Sequence, residues 1–273
     1  MLSLNALIRT SRLSRPVGFP RLVLTRINGN FSRLRPQWEL PLRQRLKLLI
    51  GPTVFAGSVG IGTYAIAEAK QSSIHEQKGH VTLPGDIKID FVTAIVGANI
   101  LVFALWQTKS PAVLAILNKY MMSNFYSPTR TLSMLGAIFS HKSLVHLVIN
   151  MYVLSSFTRG PADPYKTAHI YLTGGLVGSL GSYLRAALNP KFRSVSLGAS
   201  GAILSLIGYT IGKYPESRFS VVLVDQIYPH SFSAQTALWI IAGFDTCGLI
   251  FGWRIFDHAC HLGGLLFGWL KSN

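Results

Sequence analysis

A serine, an asparagine and two pairs of histidines stand inside otherwise apolar stretches of the chain. Ser200 lies in Ser196-Leu197-Gly198-Ala199-Ser200-Gly201-Ala202, where a polar loop ending in Arg193-Ser194 gives way to an apolar helix over 200–211. A serine at a helix start sits among backbone N–H groups that have no intrahelical partner and can stabilise an oxyanion. By itself the pattern reads more readily as packing than as catalysis, because small residues let membrane helices approach one another. His146 and Asn150 are four apart and so share a helix face, with His141 at its mouth. His258 and His261 open the last apolar segment, in Asp257-His258-Ala259-Cys260-His261-Leu262-Gly263-Gly264. Serine is a poor nucleophile until a base takes its proton, so an imidazole in hydrogen-bond reach is the least that Ser200 requires. His261 is the candidate base. His146, Asn150 and the Ser200 N–H are candidate donors to a tetrahedral oxyanion. His141 reads as a residue that orders the loop at the membrane surface, and His258 as one that caps or orients its helix beside Asp257.

Composition says what must carry these side chains. The chain of 273 residues is 49% hydrophobic and only 13% charged, with a mean hydropathy of +0.36. That is too apolar for a soluble domain of ordinary composition and predicts an all-α, polytopic helical bundle in a lipid bilayer. The net charge of +16 does not indicate nucleic acid, because residues 1–47 alone hold ten basic side chains against the single acid Glu39. An Arg-rich leader with Ser and Thr and no earlier acid has the pattern of a mitochondrial transit segment. Apolar segments long enough, or nearly so, to cross a bilayer follow at 48–67, 91–107, 141–157, 168–188, 200–213, 233–243 and 257–270. This gives a leader (1–47), one additional span (48–67), a polar linker (68–90) and a six-helix core (91–270). The stretch 108–140 is too interrupted to cross and reads as a loop partly sunk in the interface. Asp225, Pro229 and His230 break the approach to the sixth span, which is placed to end at Gly243.

Small residues connect the clusters. Gly201, Ser205, Gly208 and Gly212 form a stripe on the fifth span, and Gly264 and Gly268 form a Gly-x-x-x-Gly pair on the seventh. If those stripes meet, His261 lies opposite Ser200. A metal site assembled from His141, His146, His258 and His261 is a weaker competitor, since the only His-Glu pair, His75-Glu76, lacks the second histidine of a His-Glu-x-x-His motif. Nor are Asp225, Asp245 and Asp257 placed as two facing mid-span acids of an aspartyl protease. Cys247 and Cys260 suggest neither a disulfide framework nor a zinc site. No cofactor motif is present.

Gly198-x-Ser200-Gly201, His141 with His146 and Asn150, and Ala259-Cys260-His261-Leu262-Gly263-Gly264, in that order on separate spans, resemble the rhomboid intramembrane serine proteases. The basic leader, the extra span before a six-span core and the Asp257-His258-x-x-His261 form resemble the mitochondrial, presenilin-associated rhomboid-like branch. The resemblance implies a Ser200–His261 dyad without a triad acid, an oxyanion site from His146 and Asn150, and cleavage of single-pass transmembrane substrates in the mitochondrial inner membrane. Two features depart from many bacterial members: no Trp-Arg pair stands in 108–140, and Leu204 replaces the aromatic residue expected one turn after the serine. Two other classes remain: an inactive relative that binds membrane helices, and a transporter, for which buried histidines are a normal signature. Positive charge concentrates in the leader, in 108–142 and in 185–193, while the alternate connections are nearly neutral. With seven spans this predicts the leader and the Ser200 and His261 helix ends on the matrix side, and the end of the chain in the intermembrane space.

Overall fold

Apolar runs punctuated by Pro, Gly and polar caps fold as helices in the computed structural model, which describes residues 24–27, 30–33, 37–71, 80–83, 87–157, 163–192, 195–220, 228 and 231–272. The chain divides into two units, 1–36 and 37–273. The first contributes an antiparallel pair, β1 (Leu24–Ile27) and β2 (Asn30–Arg33), with Leu24 opposite Arg33. Most of the expected leader lies outside the described residues, as do His75-Glu76, Asp225, Pro229 and His230.

The second unit is mostly helical. It begins with α1 (Leu42–Lys47) and α2 (Ile50–Gln71), which together form an apolar rod over Leu42–Lys70. A short antiparallel pair, β3 (His80–Leu83) with β4 (Ile87–Asp90), falls where a polar linker was expected. Asp90 then caps α3 (Phe91–Trp106), and the hydroxyl and N–H of Thr93 hold its carboxyl below the ordinary carboxylate range. The interrupted stretch that follows contains α4 (Pro111–Tyr120), β5 (Ser123–Asn124) and α5 (Arg130–Ala137). Next come α6 (Leu144–Phe157) and α7 (Pro164–Leu188). The remainder is β6 (Val195–Ser196), α8 (Ser200–Lys213), β7 (Arg218–Phe219), β8 (Phe232–Ser233), α9 (Ala234–Phe251) and α10 (His258–Leu270).

A helix therefore occupies each of the seven expected positions, with two boundary corrections that matter. The four-residue shift at the start of α7 follows from Asp163, whose carboxylate accepts from the N–H groups of Tyr165 and Lys166, with Pro164 at the first helical position. The sixth segment does not stop at Gly243 but continues as α9 to Phe251, which places Asp245 inside the helix. A lone acid in an apolar run reads as a helix end; here its charge has partners inside the fold, so the helix goes on.

The core is built from α7, α8 and α10, and small residues set its spacing. A methyl group added at Gly264 would strike the carbonyl oxygen of Gly201, one at Gly268 that of Ser205, and one at Gly208 that of Leu265. The two expected stripes thus meet backbone to backbone. On the other side of α10, a Cβ at Gly178 would come within 2.7 Å of the Cys260 carbonyl and one at Gly181 within 2.5 Å of that of Ala259. The 108–140 region is bound to α7 by polar contacts: Tyr126 Oη donates to the Ala186 carbonyl at 2.9 Å, and Tyr183 Oη to that of Arg130 at 2.8 Å. Ser123 Oγ donates to Tyr183 Oη at 3.0 Å. The additional first helix also joins α7 through a polar contact, with Thr63 Oγ1 2.9 Å from His169 Nδ1.

Candidate active site

Ser200 is the first residue of α8, and three restraints deliver it there. β5 pairs with β6, Ser123 opposite Ser196, so the long 108–140 region holds the segment that leads to the serine. Gly198 adopts φ +130°, where its N–H donates to the Ala137 carbonyl at 2.9 Å and a Cβ would sit 2.8 Å from the His146 ring. Only glycine satisfies both demands. Ala199 N–H donates to His141 Nε2 at 3.4 Å. That bond fixes His141 with an unprotonated Nε2. His141 is fully buried and precedes α6, so it orders the serine loop from beneath.

His261 Nε2 lies 2.9 Å from Ser200 Oγ. The ring's other nitrogen, Nδ1, lies 3.0 Å from Oδ1 of Asp245, which is only 2% exposed. A carboxylate can only accept here, so Nδ1 carries the proton and Nε2 presents its lone pair to the serine hydroxyl. Beside the expected pair the geometry places a carboxylate: Ser200, His261 and Asp245 stand in hydrogen-bonded series. His258 Nδ1 lies 2.6 Å from the same Oδ1, and His258 is fully buried. It binds Asp245 rather than Asp257. The helix start is instead capped by Asp257, which accepts from Cys260 N–H at 3.2 Å and from the hydroxyl of Ser182 on α7. Where Leu204 leaves no aromatic ring after the serine, Phe256 takes that part, its ring 5.9 Å from that of His261 and tilted by 35°.

Asp245, His258 and His261 are the one group of three or more metal-ligand side chains that converge among the described residues. Their separations of 2.6 and 3.0 Å are those of hydrogen bonds. Ligands on a tetrahedral zinc ion with bonds of about 2.0–2.1 Å would stand about 3.3 Å apart. His141 and His146 pair with each other instead, ring centroids 4.9 Å apart, so the four-histidine grouping does not form.

The serine and His261 face a cavity of about 600 Å³. His146 also lines it, on the Gly198 side. Asn150, buried one turn further along α6, donates from Nδ2 to the His146 carbonyl at 2.9 Å. The amide nitrogen has two hydrogens, and this bond uses one. The arrangement can deprotonate Ser200, hold the resulting imidazolium against Asp245, and offer His146 and the helix N-terminus to developing negative charge. Of the candidates named from the sequence, Ser200, His261 and His146 line one cavity and Asn150 lies one turn further along α6 outside its lining, while Asp245 was not among them. Its signal was present as a lone acid in an apolar run.

Residues 128–272 match the rhomboid domain. The chain is 40% identical over 180 residues to presenilin-associated rhomboid-like protein A, mitochondrial, of Danio rerio, covering 65% of this chain and 45% of that protein. It is 38% identical over 180 residues to presenilin-associated rhomboid-like protein, mitochondrial, of Homo sapiens (65% and 46%), and 31% identical over 192 residues to rhomboid protein 1, mitochondrial, of Saccharomyces cerevisiae (67% and 54%). The chain thus spans about half the length of the curated relatives it matches. It belongs to the rhomboid family, aligning there with the mitochondrial, presenilin-associated members.

Proposed function

We propose that the protein is an intramembrane serine endopeptidase that cuts single-pass transmembrane substrates. The observation that carries this reading is the series Ser200 Oγ, His261, Asp245, closed at 2.9 and 3.0 Å, with Ser200 and His261 on the wall of one cavity and Asp245 buried behind them. His261 Nε2 takes the serine proton as Oγ attacks the scissile carbonyl, and the imidazolium is held by Asp245. The carbonyl oxygen becomes an oxyanion near the Ser200 N–H and His146, with Asn150, one turn further along α6, as the remaining candidate donor. His261 then returns the proton to the leaving amine, and water, activated by the same nitrogen, releases the acyl group. Asp245 acts through His261 by fixing its tautomer.

The outward faces support a bilayer setting. Ile50, Val54, Ile61 and Ile66 on α2, Val145, Val148 and Ile149 on α6, and Trp239, Ile240, Ile250 and Phe251 on α9 are exposed, while Asn99, Ser205, Asp245 and His258 are inside. Such contiguous apolar surface is the reverse of what water selects. Leu42–Lys70 and Ala234–Phe251 are long and apolar enough to cross a membrane, and Phe91–Trp106 and Leu144–Phe157 are shorter apolar helices. We read the helices as one span plus a core of six. At about 1.5 Å per residue, the 14 residues of α8 reach about 21 Å, short of a hydrocarbon core of about 30 Å. Ser200 is then recessed below the surface, with the cavity as its path to water.

The mitochondrial inner membrane fits the Arg-rich leader and the names of the relatives, and the charge pattern favours a matrix-facing cavity. With Cys247 and Cys260 replaced, a cysteine at Asn124 should resist an impermeant thiol reagent in mitoplasts, and one at Glu216 should react. The opposite pattern would reverse the assigned face. Activity itself is tested by reconstituting the purified chain in vesicles with a panel of single-pass substrates. Cleavage that Ser200→Ala removes supports the reading; a folded protein that binds substrate helices without cutting them would make it a binding relative.

A further inference from the structure

The cavity that holds Ser200 also carries an excess of cationic side chains. Arg185 from α7, Lys191 from the turn that follows and Arg254 from the α9–α10 connection all line it, against one acid, Asp257. Both oxygens of that acid accept hydrogen bonds, one from the N–H of Cys260 and the other from the hydroxyl of Ser182, and its charge acts on Arg185 from a distance, which leaves the three cations in excess. Among the described residues no ion pair joins any of the three cations to an acid.

Their positions are built. The Arg185 guanidinium lies over the Phe192 ring at 3.9 Å, and its Nη2 is buried without a hydrogen-bond partner. Phe192 in turn packs against Gly252, which ends α9 in the left-handed region at φ +70°, and a Cβ there would touch the ring at 3.4 Å. This turn sends 253–256 back along the cavity and brings Arg254 into its wall. Lys191 is set by an Asn189 side-chain turn, its N–H donating to Asn189 Oδ1 at 3.1 Å. A stacked guanidinium keeps its donor edge free, and a carboxylate matches that edge with two parallel hydrogen bonds.

We propose that this cleft selects substrate segments that carry an Asp or Glu side chain within the few residues flanking the scissile bond, with Arg185 receiving the carboxylate and Lys191 and Arg254 adding to the field. The assignment rests on the proteolytic reading above and names the substrate class it serves. No bond is made or broken by the three cations. They bind and orient.

The test uses the full chain in vesicles of zwitterionic phosphatidylcholine, so that no anionic lipid competes for the cations. A cleavable single-pass substrate is scanned with Glu, Gln and Lys at each position flanking the cut, and kcat/KM is compared within each enzyme variant. The wild type should favour Glu over Gln by roughly tenfold at one or two positions and disfavour Lys there. Arg185→Gln should bring the Glu to Gln ratio to about one, Arg185→Lys should restore part of it, and the exposed Lys191→Gln and Arg254→Gln should each lower it. The single-site variants at 191 and 254 keep the test available if Arg185→Gln does not fold. A wild-type ratio near one at every position, in enzyme whose Ser200 reacts with a fluorophosphonate, would overturn the substrate assignment alone. Failure of Ser200 to react would instead overturn the protease reading and this inference with it.

Discussion

Two sets of helices meet at the active site and are held in different ways. α8 and α10 touch through backbone atoms, Gly264 on the Gly201 carbonyl and Gly268 on that of Ser205, which leaves no room for either to shift without separating Ser200 from His261. α9 buries only Ala234, Ala237, Asp245 and Gly248, and turns Trp239, Ile240, Phe244, Ile250 and Phe251 outward. An apolar cavity of about 400 Å³, lined by Ile211, Leu238, Trp239, Leu265 and Trp269, lies between it and the other two. Its firm attachment to α10 is the Asp245–His258 bond together with Gly248, whose missing side chain makes room for the His258 ring. Nucleophile and base therefore belong to the rigid pair, and the residue that orients the base belongs to the looser helix. His258 ties Asp245 to the helix that carries His261, so the acid stays in register with the base even where α9 packs lightly.

Substitutions separate the two regions by size of effect. Ser200→Ala or His261→Ala should each lower cleavage by at least about 10⁴-fold while the unfolding temperature stays near that of the wild type, because each removes half of the nucleophile and base pair. Gly264→Leu should also remove activity, but with a measurable loss of thermal stability, since its side chain must displace the Gly201 backbone. A stable, active Gly264→Leu enzyme would show that the rigid pair is not needed. Asp245→Asn should reduce kcat by about 10²- to 10⁴-fold with little change in KM, by releasing the tautomer of His261. An unchanged kcat would leave Asp245 as a structural link to His258 only. Asn150→Ala should have the smallest effect, below about 10²-fold for a slow, chemistry-limited substrate, because His146 and the helix N-terminus remain as donors.

The rigid pair was legible in the sequence, whereas the second half of the looser helix, with its acid, was not, for a physical reason. Small residues at every third or fourth position state which faces touch, so Ser200 and His261 could be placed opposite one another before any coordinates. The loop glycine at 198 and the buried role of His141 depend on where 137 meets 198 and 141 meets 199, which no local pattern encodes. Asp245 was weighed only as half of an aspartyl pair and assigned to a connection, because an isolated carboxylate in an apolar run looks like a boundary. What makes it tolerable inside α9 is two imidazoles 13 and 16 residues further along the chain. Their spacing on α10, three residues apart, was visible; the acid they share came from another helix.

The most direct measurement is the rate at which a fluorophosphonate labels the purified protein in vesicles, with the modified residue mapped by peptide mass spectrometry in wild type, His261→Ala and Asp245→Asn. Labelling of the wild type at Ser200, nearly abolished in His261→Ala and clearly slowed in Asp245→Asn, is the expected result. A wild type that does not label, or a His261→Ala variant that labels at the wild-type rate, would contradict the assignment of Ser200 and His261 as nucleophile and base.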